Sequence, residues 1–224
     1  MMNEVGSSLF DRREKSKLNI VLNILIIILA AFFVLEIIFS LNFSGIYVVG
    51  DSMLPNFVGA ETETSPGGDY LYVKKGAKPD YGDIVIAFKD DNADKSKRTT
   101  IIKRAIAFGG DYIKLYRGTL WIKYSGQSDF TQVHEDYIAQ ENNTPSLMKN
   151  NFGSPDGFLV EEGCVFLLGD NRNVSEDSRA NGGTNFPLEN IYGVATKWSL
   201  KHKSFITAMH KYFKFDLPAM FGLA

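Results

Sequence analysis

A run of apolar residues from Leu18 to Leu41 divides this chain into a short head and a long remainder. At about 1.5 Å per residue the run makes a helix of roughly 36 Å, enough for a bilayer core of about 30 Å. Asn19, Asn23 and Glu36 interrupt it. A cleavable leader has a shorter apolar stretch and a small-x-small exit. This run exits through Phe39-Ser40-Leu41-Asn42, so it reads as an uncleaved anchor. Arg12, Arg13, Lys15 and Lys17 precede it, and no basic residue follows before Ser52. The positive-inside rule then puts residues 1–17 in the cytoplasm, 18–41 across the cell membrane, and the rest on the outer face. Glu36 lies near the outer end of the run. Two readings fit it: a carboxylate reaching the interface, or a helix-pairing group.

Composition narrows what the remainder does. The net charge of −2 gives no support for a nucleic-acid partner. Apolar residues make up 45% of the 224, so a core can be buried. The single cysteine, Cys164, rules out an internal disulfide framework and reads as a small residue in a buried strand, with a reactive thiol as the alternative.

From Ile46 onward, short β-type runs alternate with Gly, Asp, Asn and Pro. Strands are expected at Ile46–Val49, Tyr70–Val73, Ile84–Phe88, Thr99–Ile102, Tyr112–Leu115, Leu120–Ile122, Cys164–Leu168 and Ile191–Ala195. The fold class is therefore mostly β, on one N-terminal transmembrane helix. Residues 115–160 are more polar and read as an insertion between two halves of a β core, 42–114 and 161–198. Glu61–Asp69 and Asp90–Arg98 read as exposed loops. Residues 199–224 form a basic tail in which Phe205, Met209 and Phe213 recur every four residues. Its apolar face suits either an interfacial helix on anionic lipid or packing on the β domain.

One pair of residues carries chemistry. Ser52 sits in Gly50-Asp51-Ser52-Met53-Leu54-Pro55, and Lys103 in Ile101-Ile102-Lys103-Arg104-Ala105-Ile106. A serine hydroxyl is a weak nucleophile until a base takes its proton. The chain's histidines, His134, His202 and His210, lie in no segment that looks like a site. Lys103 has apolar neighbours, the setting that strips an ammonium of water and proton. A Ser/Lys dyad is the leading chemical reading.

Four blocks in order support it. The first surrounds Ser52. The second is Tyr81-Gly82-Asp83-Ile84-Val85-Ile86. The third runs from Ile102 to Asp111, where Lys103 and Arg104 point to opposite faces of a strand, so that one is buried or paired. The fourth is Gly169-Asp170-Asn171-Arg172-Asn173-Val174-Ser175-Glu176-Asp177-Ser178-Arg179. After an N-terminal anchor, these blocks resemble the type I signal peptidases, from about Val48 to Ala195 with the insertion unmatched. The resemblance implies an antiparallel β-sheet catalytic core with a smaller inserted β region. It implies Ser52 as nucleophile, Lys103 as general base, Ser175 as the hydroxyl that orients the lysine, and Arg104, Asp170, Asp177 and Arg179 as structural ion-pairing groups. Small residues at the −1 and −3 positions of exported preproteins would be read by shallow pockets beside Ser52, with Ile101, Ile102 and Met53 as contacts. The secretion translocon would be nearby, and no metal or other cofactor is needed. Met53, Leu54 and Phe57 also read as an apolar patch resting on the lipid bilayer. An extended linker from Leu41 would reach only roughly 36 Å to Ser52.

Departures from the family pattern bear on detail. Gly109 and Ala107 replace a usual proline and glycine, and Asn56 follows Pro55 where threonine is usual. Gly50 stands where the Gram-negative kind often has a second serine. This favours a Gram-positive-like form with the Ser52 N–H as main oxyanion donor. Two other classes remain at this stage. One is another Ser/Lys protease, such as a self-cleaving repressor, which would need a DNA-binding region in place of the anchor. The other is an inactive anchored β domain that binds exported chains or lipid.

Overall fold

The computed structural model describes residues 2–61, 67–89 and 99–213. The expected loop Asp90–Arg98, residues 62–66 of the other loop, and the tail beyond 213 lie outside them. So do the side chains of Arg12, Arg13, Lys15 and Phe213. The chain divides into two units, the N-terminal helix and the β unit from Phe43 onward.

Helix α1 spans Met2–Asn42, and its segment Ser16–Asn42 is long and apolar enough to cross a membrane. The β unit holds β1 (Phe43–Tyr47), β2 (Tyr70–Lys75), β3 (Ile84–Phe88), β4 (Thr100–Phe108), β5 (Tyr112–Tyr116), β6 (Thr119–Lys123), β7 (Thr131–Gln132), β8 (Phe158–Leu159), β9 (Cys164–Leu168), β10 (Phe186–Pro187) and β11 (Ile191–Ala195). Two short helices follow, α2 (Lys197–Lys201) and α3 (Lys203–Phe213). Seven strands form one antiparallel sheet in the order β1-β2-β11-β3-β4-β9-β10. Strands β7-β6-β5-β8 form a second, smaller sheet. The fold is mostly antiparallel β.

Several boundaries differ from the sequence reading. Strand β1 begins directly after α1, so there is no extended linker before Ser52. The second sheet opens at Tyr112, so a boundary at 114/115 falls inside β5. Strand β4 runs well past Ile102, to Phe108, because it is central and pairs with β3 and β9 along its length.

Packing explains the sequence pattern of β3 and β4. Both faces of these strands are covered, so they read as nearly continuous apolar runs. One face carries Val48, Leu71, Val73, Ile84, Ile86 and Ile102. The other carries Val85, Ala87, Ala105, Val165 and Leu167. A third cluster joins Ile106, Phe166 and Leu168 to Ile113, Leu115, Leu120 and Ile122 of the second sheet.

The C-terminal helices close an edge. Strand β11 pairs with β2 only as far as Val73. Beyond it, the Tyr72 N–H donates to Ser199 Oγ at 2.8 Å and the Tyr70 N–H to Thr207 Oγ1 at 2.9 Å. Two hydroxyls thus take the place of a strand. The α3 face toward the sheet carries Lys203, Thr207 and His210, whereas Phe205 (66% exposed) and Met209 (39%) point outward.

Candidate active site

Ser52 lies in a tight turn between β1 and β2. The backbone reverses through Gly50, whose φ of +74° favours a residue without a side chain. Val49 bridges Ala60 on the returning segment, and the Gly50 N–H donates to the Ala60 carbonyl at 3.0 Å. Met53 (0% exposed) and Phe57 (5%) drop into the core from this turn. The apolar patch expected on lipid is therefore the turn's internal anchor, and Met53 is not among the residues lining the cavity beside Ser52. A turn sends neighbouring side chains in directions that strand alternation does not forecast.

Lys103 comes from the middle of β4, opposite Val85 of β3. Its side chain is buried, and Nζ lies 2.9 Å from Ser52 Oγ and 2.9 Å from the Ile102 carbonyl. Burial pulls the amine down from its ordinary value to about 8, against the opposing pull of the Asp177 and Glu176 carboxylates. A cavity of about 460 Å³ opens beside the pair, walled by Ile46, Ile86, Ile101, Ile102 and Tyr192. Ile101 and Ile102 thus lie where the sequence put them. The Ser52 N–H donates to no described residue, which leaves it available to an oxyanion.

The fourth block wraps behind this pair. The Asn171 N–H donates to the Ser52 carbonyl at 2.9 Å. Gly169 must be glycine: a Cβ there would lie 2.2 Å from Ser175 Oγ and 2.5 Å from the Ser52 carbonyl oxygen. The charged residues form two forked pairs. Arg104 meets Asp170 through Nε at 2.8 Å and Nη2 at 2.6 Å. Arg179 meets Asp177 through Nε at 2.8 Å and Nη2 at 2.7 Å. Burial pushes the Asp177 carboxyl up, but Arg179, the Gly169 N–H and the Ser175 hydroxyl outweigh it and hold it below its ordinary value.

Ser175 departs from expectation. It is buried, yet no hydrogen bond joins it to Lys103; the amine's second partner is the Ile102 carbonyl. Its Oγ sits near enough to Asp177 to act electrostatically, without the geometry of a full hydrogen bond to any described residue. Other residues escaped the sequence reading. Arg172 is fully buried and pairs with Glu135. Arg104 also stacks over the Tyr137 ring, 3.8 Å from its centroid. The only sequence signal was Arg172 itself, a third arginine-or-lysine-type charge near a buried strand; Glu135 and Tyr137 sit in the polar insertion, which offers none.

Comparison with known proteins adds an independent line. The family described as signal peptidase, peptidase S26, matches residues 18–199. A signal peptidase I of Rickettsia rickettsii (strain Sheila Smith) is 33% identical over 152 residues, 57% of this chain and 55% of that protein. One from Rickettsia prowazekii (strain Madrid E) is 32% identical over 57% of this chain and 56% of its own length. The match thus spans about half the length of these curated relatives. A crystal structure of a signal peptidase I from Enterococcus faecalis V583 is 27% identical, covering 54% of this chain and 98% of that one, with a TM-score of 0.38.

Proposed function

The chain belongs to the signal peptidase family, peptidase S26, and from that premise we propose that it is a membrane-anchored serine endopeptidase that removes signal peptides from exported preproteins. The observation that carries the reading is the 2.9 Å contact between Ser52 Oγ and the buried Lys103 Nζ on the wall of a cavity that four isoleucines help to line. With the amine neutral, the hydroxyl proton passes to Nζ as Oγ attacks the scissile carbonyl. The oxyanion is taken by the Ser52 N–H, the amine returns the proton to the leaving nitrogen, and a water repeats the cycle on the acyl-enzyme. The Ile102 carbonyl holds the amine on Ser52.

The isoleucines on the cavity wall, Ile46, Ile86, Ile101 and Ile102, favour apolar substrate residues, in keeping with −1 and −3 specificity. The apolar segment Ser16–Asn42 supports a cell-membrane anchor, with the N-terminus cytoplasmic and the β unit outside, near the secretion translocon. The outward Phe205 and Met209, with exposed Lys197, Lys201 and Lys211 nearby in sequence, support additional contact with anionic lipid.

The test is incubation of the full chain in vesicles with a preprotein, followed by sequencing of the new N-terminus. One new terminus after a small-x-small motif is expected. No cleavage, or cleavage after large or charged residues, would remove the reading.

The pH dependence follows from the amine. An amine titrating near 8 is neutral in about a tenth of molecules at pH 7, against fewer than about one in a thousand for an ordinary lysine. The base form is gained as pH rises, so kcat/KM should climb about tenfold per unit below a midpoint near 8. A profile flat down to about pH 5 would show that no lysine acts as base.

A further inference from the structure

The contact between Ser52 and Lys103 joins a strand inside a sheet to a turn outside it. Met53 and Phe57 fix the turn's depth, but apolar packing is non-directional and does not by itself set the angle of the Ser52 hydroxyl. The Asn171 N–H on the Ser52 carbonyl is one directional tie, and further ones come from the far side of the turn. Asn56 Nδ2 donates to Asp170 Oδ2 at 2.8 Å and to the Tyr137 carbonyl at 2.7 Å. The Asn56 carbonyl accepts from Lys203 Nζ of α3 at 2.6 Å, and the same ammonium pairs with Asp69 Oδ2 at 2.6 Å. Asp69 Oδ2 in turn accepts from the Val58 N–H at 2.8 Å.

Asp170 is the carboxylate already forked by Arg104, the residue next to Lys103 in β4. One carboxylate therefore links the nucleophile's turn to the base's strand, and Asn56 is the group that reaches it. We infer that Asn56 and Lys203 are positioning residues that set the Ser52 hydroxyl against the Lys103 amine, so that α3 is part of the catalytic apparatus. The inference rests on the reading of Ser52 as nucleophile and Lys103 as base. Lys203 and Asp69 are only 22% and 13% exposed on their side chains, so the tie is held in a partly shielded place rather than as a loose surface pair.

The experiment uses the full-length protein in detergent with a preprotein substrate, and three variants: Lys203→Met, Lys203→Arg and Asn56→Leu. Methionine and leucine keep bulk and remove the donors. Both should lower kcat about tenfold with KM within about twofold, since a small misplacement of reacting groups acts on the chemical step. Lys203→Arg should recover most of the rate, because a guanidinium has donors for both the Asn56 carbonyl and Asp69. Hydrogen exchange at the Phe57 and Val58 amides should accelerate in Lys203→Met while the melting temperature holds. An unchanged kcat, a loss confined to KM, or a rate loss matched by a lowered melting temperature would overturn the inference. Unchanged amide exchange would overturn it too, whatever the rates do. A wild-type protein that cleaves no preprotein would instead sink the functional reading, with exchange still deciding whether the tie exists.

Discussion

Ser52→Ala and Lys103→Ala should each lower cleavage by at least about 10⁴-fold, and the double variant should be no worse than either alone. In the proposed mechanism the two groups act as a unit: without the hydroxyl there is nothing to acylate, and without the amine the hydroxyl keeps its proton. Lys103→Ala also leaves Ser52 Oγ and the Ile102 carbonyl without their shared donor, so Lys103→Met, which keeps the buried volume, is the matched variant. Lys103→Arg should be equally inactive, because arginine does not deprotonate in the working range. Ser52→Ala and Lys103→Met should lower the melting temperature little, since burying an ammonium opposes folding, whereas Lys103→Arg buries a permanent charge and is judged on its folded fraction. Parallel kinetics and thermal melts check this. Cleavage retained in Lys103→Met would show that another group takes the proton.

The second large effect is on stability. Removing one partner of the Asp177–Arg179 pair leaves a buried charge alone, which costs about 3–5 kcal/mol. For a domain of this size that lowers the melting temperature by on the order of 10 °C. Asp177→Ala removes the acceptor of both guanidinium bonds and of the Gly169 N–H at 3.1 Å. The double variant Asp177→Ala/Arg179→Ala should lose less than the two singles added together. Because the Asp177 carboxyl titrates below its ordinary value, its contribution is full above about pH 4 and fades as pH falls through the folded value. Asp177 also raises the Lys103 pKa, so the folded fraction of Asp177→Ala should reach half-maximal rate at a lower pH than wild type. A normal melting temperature with turnover abolished would make Asp177 catalytic instead.

Much of this was legible in sequence, for identifiable reasons. The long apolar helix declares itself by length and composition. The strands of the main sheet declare themselves because β3 and β4 are covered on both faces and read as apolar runs, within which Lys103 stands out. The adjacency of Ser52 and Lys103 came from block order, since no periodicity relates residues so far apart in the chain. What failed were directions and long-range polar partners. Met53 was read as a surface residue because the turn's reversal into the core is not encoded in alternation. The role of Ser175 on the amine came from the family resemblance, whereas here the amine's second partner is the Ile102 carbonyl, one residue away from Lys103. Glu135 and Tyr137 meet Arg172 and Arg104 only once the insertion folds back on the core, and Asn56 meets Asp170 only once the two halves of the core come together.

The central claim, that Ser52 is a nucleophile activated by Lys103, is most directly tested by covalent labelling. The full-length protein is treated with an active-site-directed acylating inhibitor above pH 8, digested, and mapped by mass. The expected result is one adduct on Ser52, formed more slowly as pH falls, and absent in Lys103→Met. Acylation elsewhere, or labelling of Ser52 that persists in Lys103→Met, would contradict the account.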